Sequence, residues 1–196
     1  MMVQVDVHRD LRALRDELGF PSYTALFAYV ILEFTKGGVV PPASPAVFQG
    51  TRPVVLTGPS QAGKTTWLRA ALAQAKGNVF VLDTNAEYKE FREVGLGEVF
   101  GLAWQEATCS RLRFVPNRDV RIAQAEAQAV FQHLNFVKSQ LKDWTVVVEE
   151  AHRFGSDQNL RTLELEAGKF VRKLILVTAE YEPHKGVAQV FRVTRP

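Results

Sequence analysis

Residues 58–66 read GPSQAGKTT, and no other stretch limits the fold as strongly. They fit G-x-x-x-x-G-K-[ST] at Gly58, Gly63, Lys64 and Thr65. The β-branched run VVLT (54–57) stands directly before them and a helix-forming segment, roughly 65–76, directly after. Glycines there let successive backbone N–H groups turn inward around a phosphate. The helix that follows adds the positive end of its dipole. The cradle comprises Gly58, Pro59, Ser60, Gln61, Ala62, Gly63, Lys64, Thr65 and Thr66. Lys64 offers a mobile charge for the β- and γ-phosphates, and the Thr65 hydroxyl is suited to Mg²⁺. The strand–loop–helix placement weighs against a chance glycine turn and predicts a nucleotide site.

The rest of the chain repeats this alternation. NVFVLD (78–83), WTVVVE (144–149), KLILVT (173–178) and VAQVFRV (187–193) read as strands, and SRLRFVP (110–116) as an edge strand or half of a hairpin. Residues 119–141 read as a long helix with apolar positions at Ile122, Val130, Leu134, Val137 and Leu141, and 158–169 as another helix. Strands alternating with helices predict an α/β fold, a mostly parallel sheet covered on both faces. Before residue 36 the pattern is helical, with Leu11, Leu14 and Leu18 on one face. KGGVVPPASPAVFQGTRP (36–53) reads as a connector. The expected organisation is a helical appendage with linker over 1–50 and a core over 51–196.

With 196 residues, 46% of them hydrophobic and 23% charged, the chain can bury a core and is not of disordered type. A net charge of +3 permits contact with polyanions without demanding it. The single cysteine, Cys109, excludes an internal disulfide and suits a reducing compartment. No basic segment followed by an apolar one opens the chain, so no signal peptide is expected. The most apolar stretch, YTALFAYVILEF (23–34), is too short to span a bilayer, so no transmembrane segment is expected.

WTVVVEEAHRF (144–154) drives an apolar strand into two carboxylates. At the end of a parallel strand they would lie on the edge that carries the phosphate loop. A triphosphate site needs one acid in the Mg²⁺ shell, and hydrolysis needs another at the attacking water. We assign Glu149 to the metal and Glu150 to the water; the alternative is two solvated residues ending a strand. His152 reads as a packing or hydrogen-bonding residue, the alternative being that it couples nucleotide state to a neighbour. Activated water favours a hydrolase over a small-molecule kinase.

Taken together, GPSQAGKTT, VFVLDTNAEYKEF (79–91), VVVEEAHRF and EAGKFVRKLILVTAEYEP (166–183) resemble the FtsK/HerA superfamily of DNA-pumping ATPases. The resemblance covers residues 54–193. It implies a RecA-like P-loop NTPase core of the ASCE type, with ATP and Mg²⁺ as cofactors. The bare core size resembles the genome-packaging ATPases of tailless, membrane-containing icosahedral viruses. That match implies double-stranded DNA as partner, a homo-oligomeric ring (pentamer or hexamer), a capsid vertex or portal protein as a further partner, and a cytoplasmic or virion location. In the family's pattern the first acid of the box is Asp, where this chain has Glu149. A Thr-Gln sensor pair becomes Thr178-Ala179, leaving Thr178 as candidate sensor. The Gly-Arg pair becomes Gly168-Lys169. Arg161 and Arg172 are the candidates for an arginine finger reaching a neighbouring subunit. Asp83, Glu87 and Tyr88 match the family's D…EY positions, where a loop-holding role is expected.

Arg111, Arg113, Arg118 and Arg121 fall within eleven residues and are candidates for sequence-independent DNA contact. A solvated basic hairpin is the equal alternative. Competing functions are a cellular or plasmid HerA/FtsK-like pump, a nucleotide-dependent switch without translocation, a fragment of a two-lobed DEAH-type helicase, and a small-molecule kinase.

Overall fold

The computed structural model describes residues 15–16, 50–73, 75–179 and 188–193. Of the expected N-terminal appendage and linker over 1–50 only Arg15, Asp16 and Gly50 are described, the first two helical; the rest of that expectation lies outside the described residues.

Seven strands form one sheet: β1 (Val54–Thr57), β2 (Asn78–Leu82), β3 (Arg92–Glu93), β4 (Arg111–Phe114), β5 (Trp144–Val148), β6 (Lys173–Thr178) and β7 (Gln189–Arg192). Their order is β3-β4-β2-β5-β6-β1-β7, and every pair is parallel. All strand ends therefore fall on common edges, with the carboxyl ends on one and the amino ends on the other. The helices described around the sheet are α1 (Lys64–Ala73), α2 (Leu96–Gly101), α3 (Val120–Phe136) and α4 (Gln158–Phe170).

The four central strands are apolar on both faces because helices cover both. Val54, Leu56, Val79, Val81, Val147, Ile175 and Val177 pack with Trp67, Leu68 and Leu72 of α1. The alternate residues Val55, Phe80, Leu82, Val146, Val148, Leu174 and Leu176 pack with α3 and α4 through Val130, Phe131, Leu134, Leu160, Leu163 and Ala167. The period of two thus splits each strand between two cores. Asp119 starts α3 by accepting from the N–H groups of Arg121 and Ile122, and Asp157 starts α4 in the same way from Asn159 and Leu160.

Three expectations change. The 110–116 segment is neither a sheet edge nor half of a hairpin, because β4 pairs in parallel with both β2 and β3. The helix expected over 119–141 ends at Phe136 and continues as a 3-10 turn, Lys138–Gln140. Strand β3 and helix α2, two and six residues long, were not expected at all; elements this short carry too few positions for a periodic signal. Among the described residues no helix is long and apolar enough to cross a membrane.

Candidate functional site

The phosphate loop joins β1 to α1 at the carboxyl edge. Gly58 lies against the far end of β7: a Cβ there would sit 2.1 Å from the Val193 carbonyl oxygen, so only glycine fits. Gly63 (φ 83°) and Gln61 (φ 60°) take left-handed backbone that closes the loop. The Lys64 ammonium is buried and donates to the carbonyls of Gly58 and Pro59, each at 2.9 Å. Ala62 N–H closes the turn onto the Pro59 carbonyl at 3.2 Å. Ala62 is buried, Thr65 half-buried, and Pro59, Ser60, Gln61 and Thr66 exposed.

Strand β6 lies between β1 and β5. Thr57 is level with Thr178, and Val148 with both Leu82 and Leu176. The carboxyl edge therefore presents, in order, the phosphate loop, Thr178, the Glu149-Glu150 pair and Asp83. After β5 the chain turns sharply. Glu150 adopts a left-handed conformation (φ 51°, ψ 41°) that leads into a 3-10 turn, Ala151–Phe154. Such backbone is costly for a residue with a side chain, and it separates the two carboxylates.

Glu149 points into the protein. It is buried beside Asp83 and accepts a hydrogen bond from the Tyr88 hydroxyl. Burial raises its pKa to about 7, and the Tyr88 hydrogen bond works in the opposite direction. Tyr88 is itself buried, and its pKa is raised well above the ordinary value by burial and by the charge of Glu149. Asp83 holds the following loop: its carboxylate accepts from the N–H groups of Glu87 and Tyr88, both at 2.9 Å. The loop-holding role expected for the D…EY residues is thus visible in the geometry, and the Tyr88–Glu149 contact adds to it. Nothing in the sequence marks a contact between residues 61 positions apart.

Glu150 is half-buried and faces another way. His152 Nε2 lies 3.5 Å from its carboxylate, and His152 Nδ1 lies 3.4 Å from the Thr178 hydroxyl. His152 therefore stands between the two sequence-predicted residues, hydrogen-bonded to Thr178 and within ion-pair distance of Glu150.

The basic residues separate into two groups. Arg111 and Arg113 alternate along β4 and lie on one face, turned inward. Arg111 donates to the carbonyls of Gly77 and Ala75 at 2.6 Å each, and burial lowers its pKa. Arg113 pairs with Asp83 at 3.3 Å and Glu93 at 2.7 Å. These guanidiniums are structural, which corrects their reading as a DNA-facing set. Arg118 and Arg121 are exposed at the carboxyl edge. Arg161, in the first turn of α4, donates to the Gly155 carbonyl at 2.9 Å and to buried Glu164 at 3.3 Å. Arg172 precedes β6 at the amino edge, where it lies against Gly77. Gly168 packs on the backbone of Thr51, and Lys169 is exposed.

The donor set suits a triphosphate with Mg²⁺. The loop needs Gly58 for a close backbone approach, Lys64 is on station, and Thr65 follows it. Among the described residues no three His, Cys, Asp or Glu side chains form a protein-only metal cage. Mg²⁺ does not require one, because it keeps waters and shares phosphate oxygens. No protein-family model matches the chain, and a comparison with curated proteins finds no significant match.

Proposed function

We propose that the chain is an ATP-hydrolysing, double-stranded DNA translocase built on a RecA-like P-loop core, working as an oligomeric ring, with viral genome packaging as its favoured setting. The observation that carries this is the carboxyl edge itself. A strand separates the phosphate-loop strand from the strand bearing Glu149 and Glu150, and Thr178 on that intervening strand is tied through His152 to Glu150. The resemblance of the four sequence blocks to the FtsK/HerA superfamily supplies the DNA and the ring.

ATP with Mg²⁺ supplies the phosphoanhydride and a metal that neutralises charge building on the phosphates. Lys64 leaves the Gly58 and Pro59 carbonyls for the phosphate oxygens. Thr65 and Glu149 are the residues to hold the metal or its waters. Glu149 is aimed by Tyr88, so Tyr88 is a positioning residue. Glu150 accepts the proton of the attacking water. His152 couples Glu150 to Thr178, which is placed to sense the γ-phosphate. A finger from a neighbouring subunit remains part of the proposal; in this chain Arg161 would first have to release Gly155 and Glu164.

The test is the ATPase rate with and without duplex DNA, read beside the oligomeric mass. A translocase is stimulated by DNA and assembles with nucleotide. A slow rate indifferent to DNA would leave the switch reading in its place.

A further inference from the structure

A cavity of about 280 Å³ opens at the same carboxyl edge beyond the ends of β2 and β4. Its polar wall comes from Thr84, Asn85, Asn117, Arg118 and Arg153, and Phe154 contributes to its apolar floor. The Arg118 and Arg153 side chains are exposed and have no ion-pair or hydrogen-bond partner among the described residues. The Thr84 hydroxyl is buried without a partner as well. Arg121 stands on the adjoining first turn of α3, exposed in the same way. The nearby acids are engaged with backbone: Asp119 caps Arg121 and Ile122, and Glu126 accepts from the Asn117 N–H.

We propose that this cavity binds a phosphodiester unit of a nucleic acid strand, with Arg118 and Arg153 on the phosphates and the two asparagines on the sugar or base edge. Unpartnered guanidiniums over a partly apolar floor are the chemistry of backbone gripping without sequence readout. The volume lies at the small end of ligand pockets, about 300 Å³ upward, which suits one nucleotide of a continuous strand better than a complete cofactor. The site also has a mechanical link to the phosphate loop. Arg153 and Phe154 belong to the 3-10 turn that carries His152, which touches both Glu150 and Thr178. A strand seated on Arg153 therefore moves the turn that holds the water-activating carboxylate. The identity of the partner rests on the translocase reading, whereas the cavity and its free cations do not.

The experiment is fluorescence anisotropy of a labelled duplex of about 20 base pairs, with a non-hydrolysable ATP analogue and Mg²⁺, over a series of salt concentrations. The wild type, Arg118→Ala/Arg153→Ala and Lys142→Ala are compared; Lys142 is an exposed cation near the amino end of β5. The double variant is expected to bind at least about tenfold more weakly, with a log–log salt slope shallower by about 2, and to lose DNA stimulation of ATP turnover. Lys142→Ala should bind as the wild type does. Melting curves check folding, and Arg153→Glu alone, on an exposed side chain, gives the same loss if the double variant is unstable. Wild-type affinity in a folded Arg118/Arg153 variant would overturn the site and leave the translocase reading standing. Displacement of the duplex by inorganic phosphate at equal phosphate concentration would make it a small-anion site and overturn the assignment. A wild type that hydrolyses ATP but binds no duplex would remove both the site and the translocase reading.

Discussion

The two edges of the sheet carry different buried charge. At the amino edge, the inward-turned cations rest on backbone carbonyls. Lys173 is buried and donates to the carbonyls of Gly50 and Arg52 at 2.9 Å each. Arg111 caps the Ala75 and Gly77 carbonyls, and Asn78 bridges Ala107 and Ser110. Each group there closes a loop onto the sheet. At the carboxyl edge, Asp83 and Glu149 are buried side by side, Glu149 with a pKa near 7. Among the described residues, three of the four non-glycine residues with positive φ, Gln61, Ala86 and Glu150, also lie on this edge. Buried acids and left-handed backbone thus gather at the carboxyl edge, where Lys64, too, rests on backbone carbonyls.

Substitutions can break this contrast. The largest expected effect is on turnover. Lys64→Ala should reduce ATP hydrolysis by about 10³-fold, since a charge on the phosphates in a shielded site is lost; steady-state phosphate release measures it. Restored turnover in that variant would remove the phosphate loop from the site.

Next comes a pH effect at Glu149. Its folded pKa, about 7, is raised above the unfolded value near 4.5, so the folded state holds the proton more tightly. The carboxylate therefore destabilises the protein as pH rises through that window and fully so above pH 7. Glu149→Gln should raise stability at pH 8 by up to about 3 kcal/mol and change little at pH 4, as followed by denaturant melts. An equal gain at both pH values would mean that burial of the charge is not the cause.

At the amino edge the sign of the readout reverses. Lys173→Ala should cost about 2–4 kcal/mol of stability, because two carbonyls lose a charged donor and the buried stem leaves a void. Turnover per folded molecule should stay close to the wild type. A large fall in turnover without a fall in melting temperature would dissolve the distinction between the edges. Smallest of all, Tyr88→Phe removes one hydroxyl from Glu149. It should shift stability by only about 1 kcal/mol and raise the Mg²⁺ concentration for half-maximal rate more than it lowers the maximal rate. An unchanged Mg²⁺ dependence would make Tyr88 merely structural.

Much of this was legible in the sequence, for identifiable reasons. VVLT, NVFVL, WTVVV and KLILVT are continuous apolar runs, which only a sheet covered on both faces explains, and each appears as a central strand. The phosphate loop is local, so its pattern places it. What depends on distant contacts did not show. Arg111 and Arg113 looked like a basic loop because their partners, the carbonyls of residues 75 and 77 and the Asp83 carboxylate, are invisible to local spacing. The Tyr88–Glu149 and His152–Thr178 contacts depend on strand order. Arg153 was passed over although a signal was present: it follows Glu150 by three residues, within the reach of a single tight turn.

The central claim is that the turn after β5 divides the labour of two adjacent acids. The direct measurement is ATP bound and ATP hydrolysed by Glu150→Gln, in the same sample and beside the wild type, with Mg²⁺ present. The account predicts ATP retained at near wild-type affinity and hydrolysis slowed by about 10²-fold or more. Hydrolysis at the wild-type rate in that variant would contradict it.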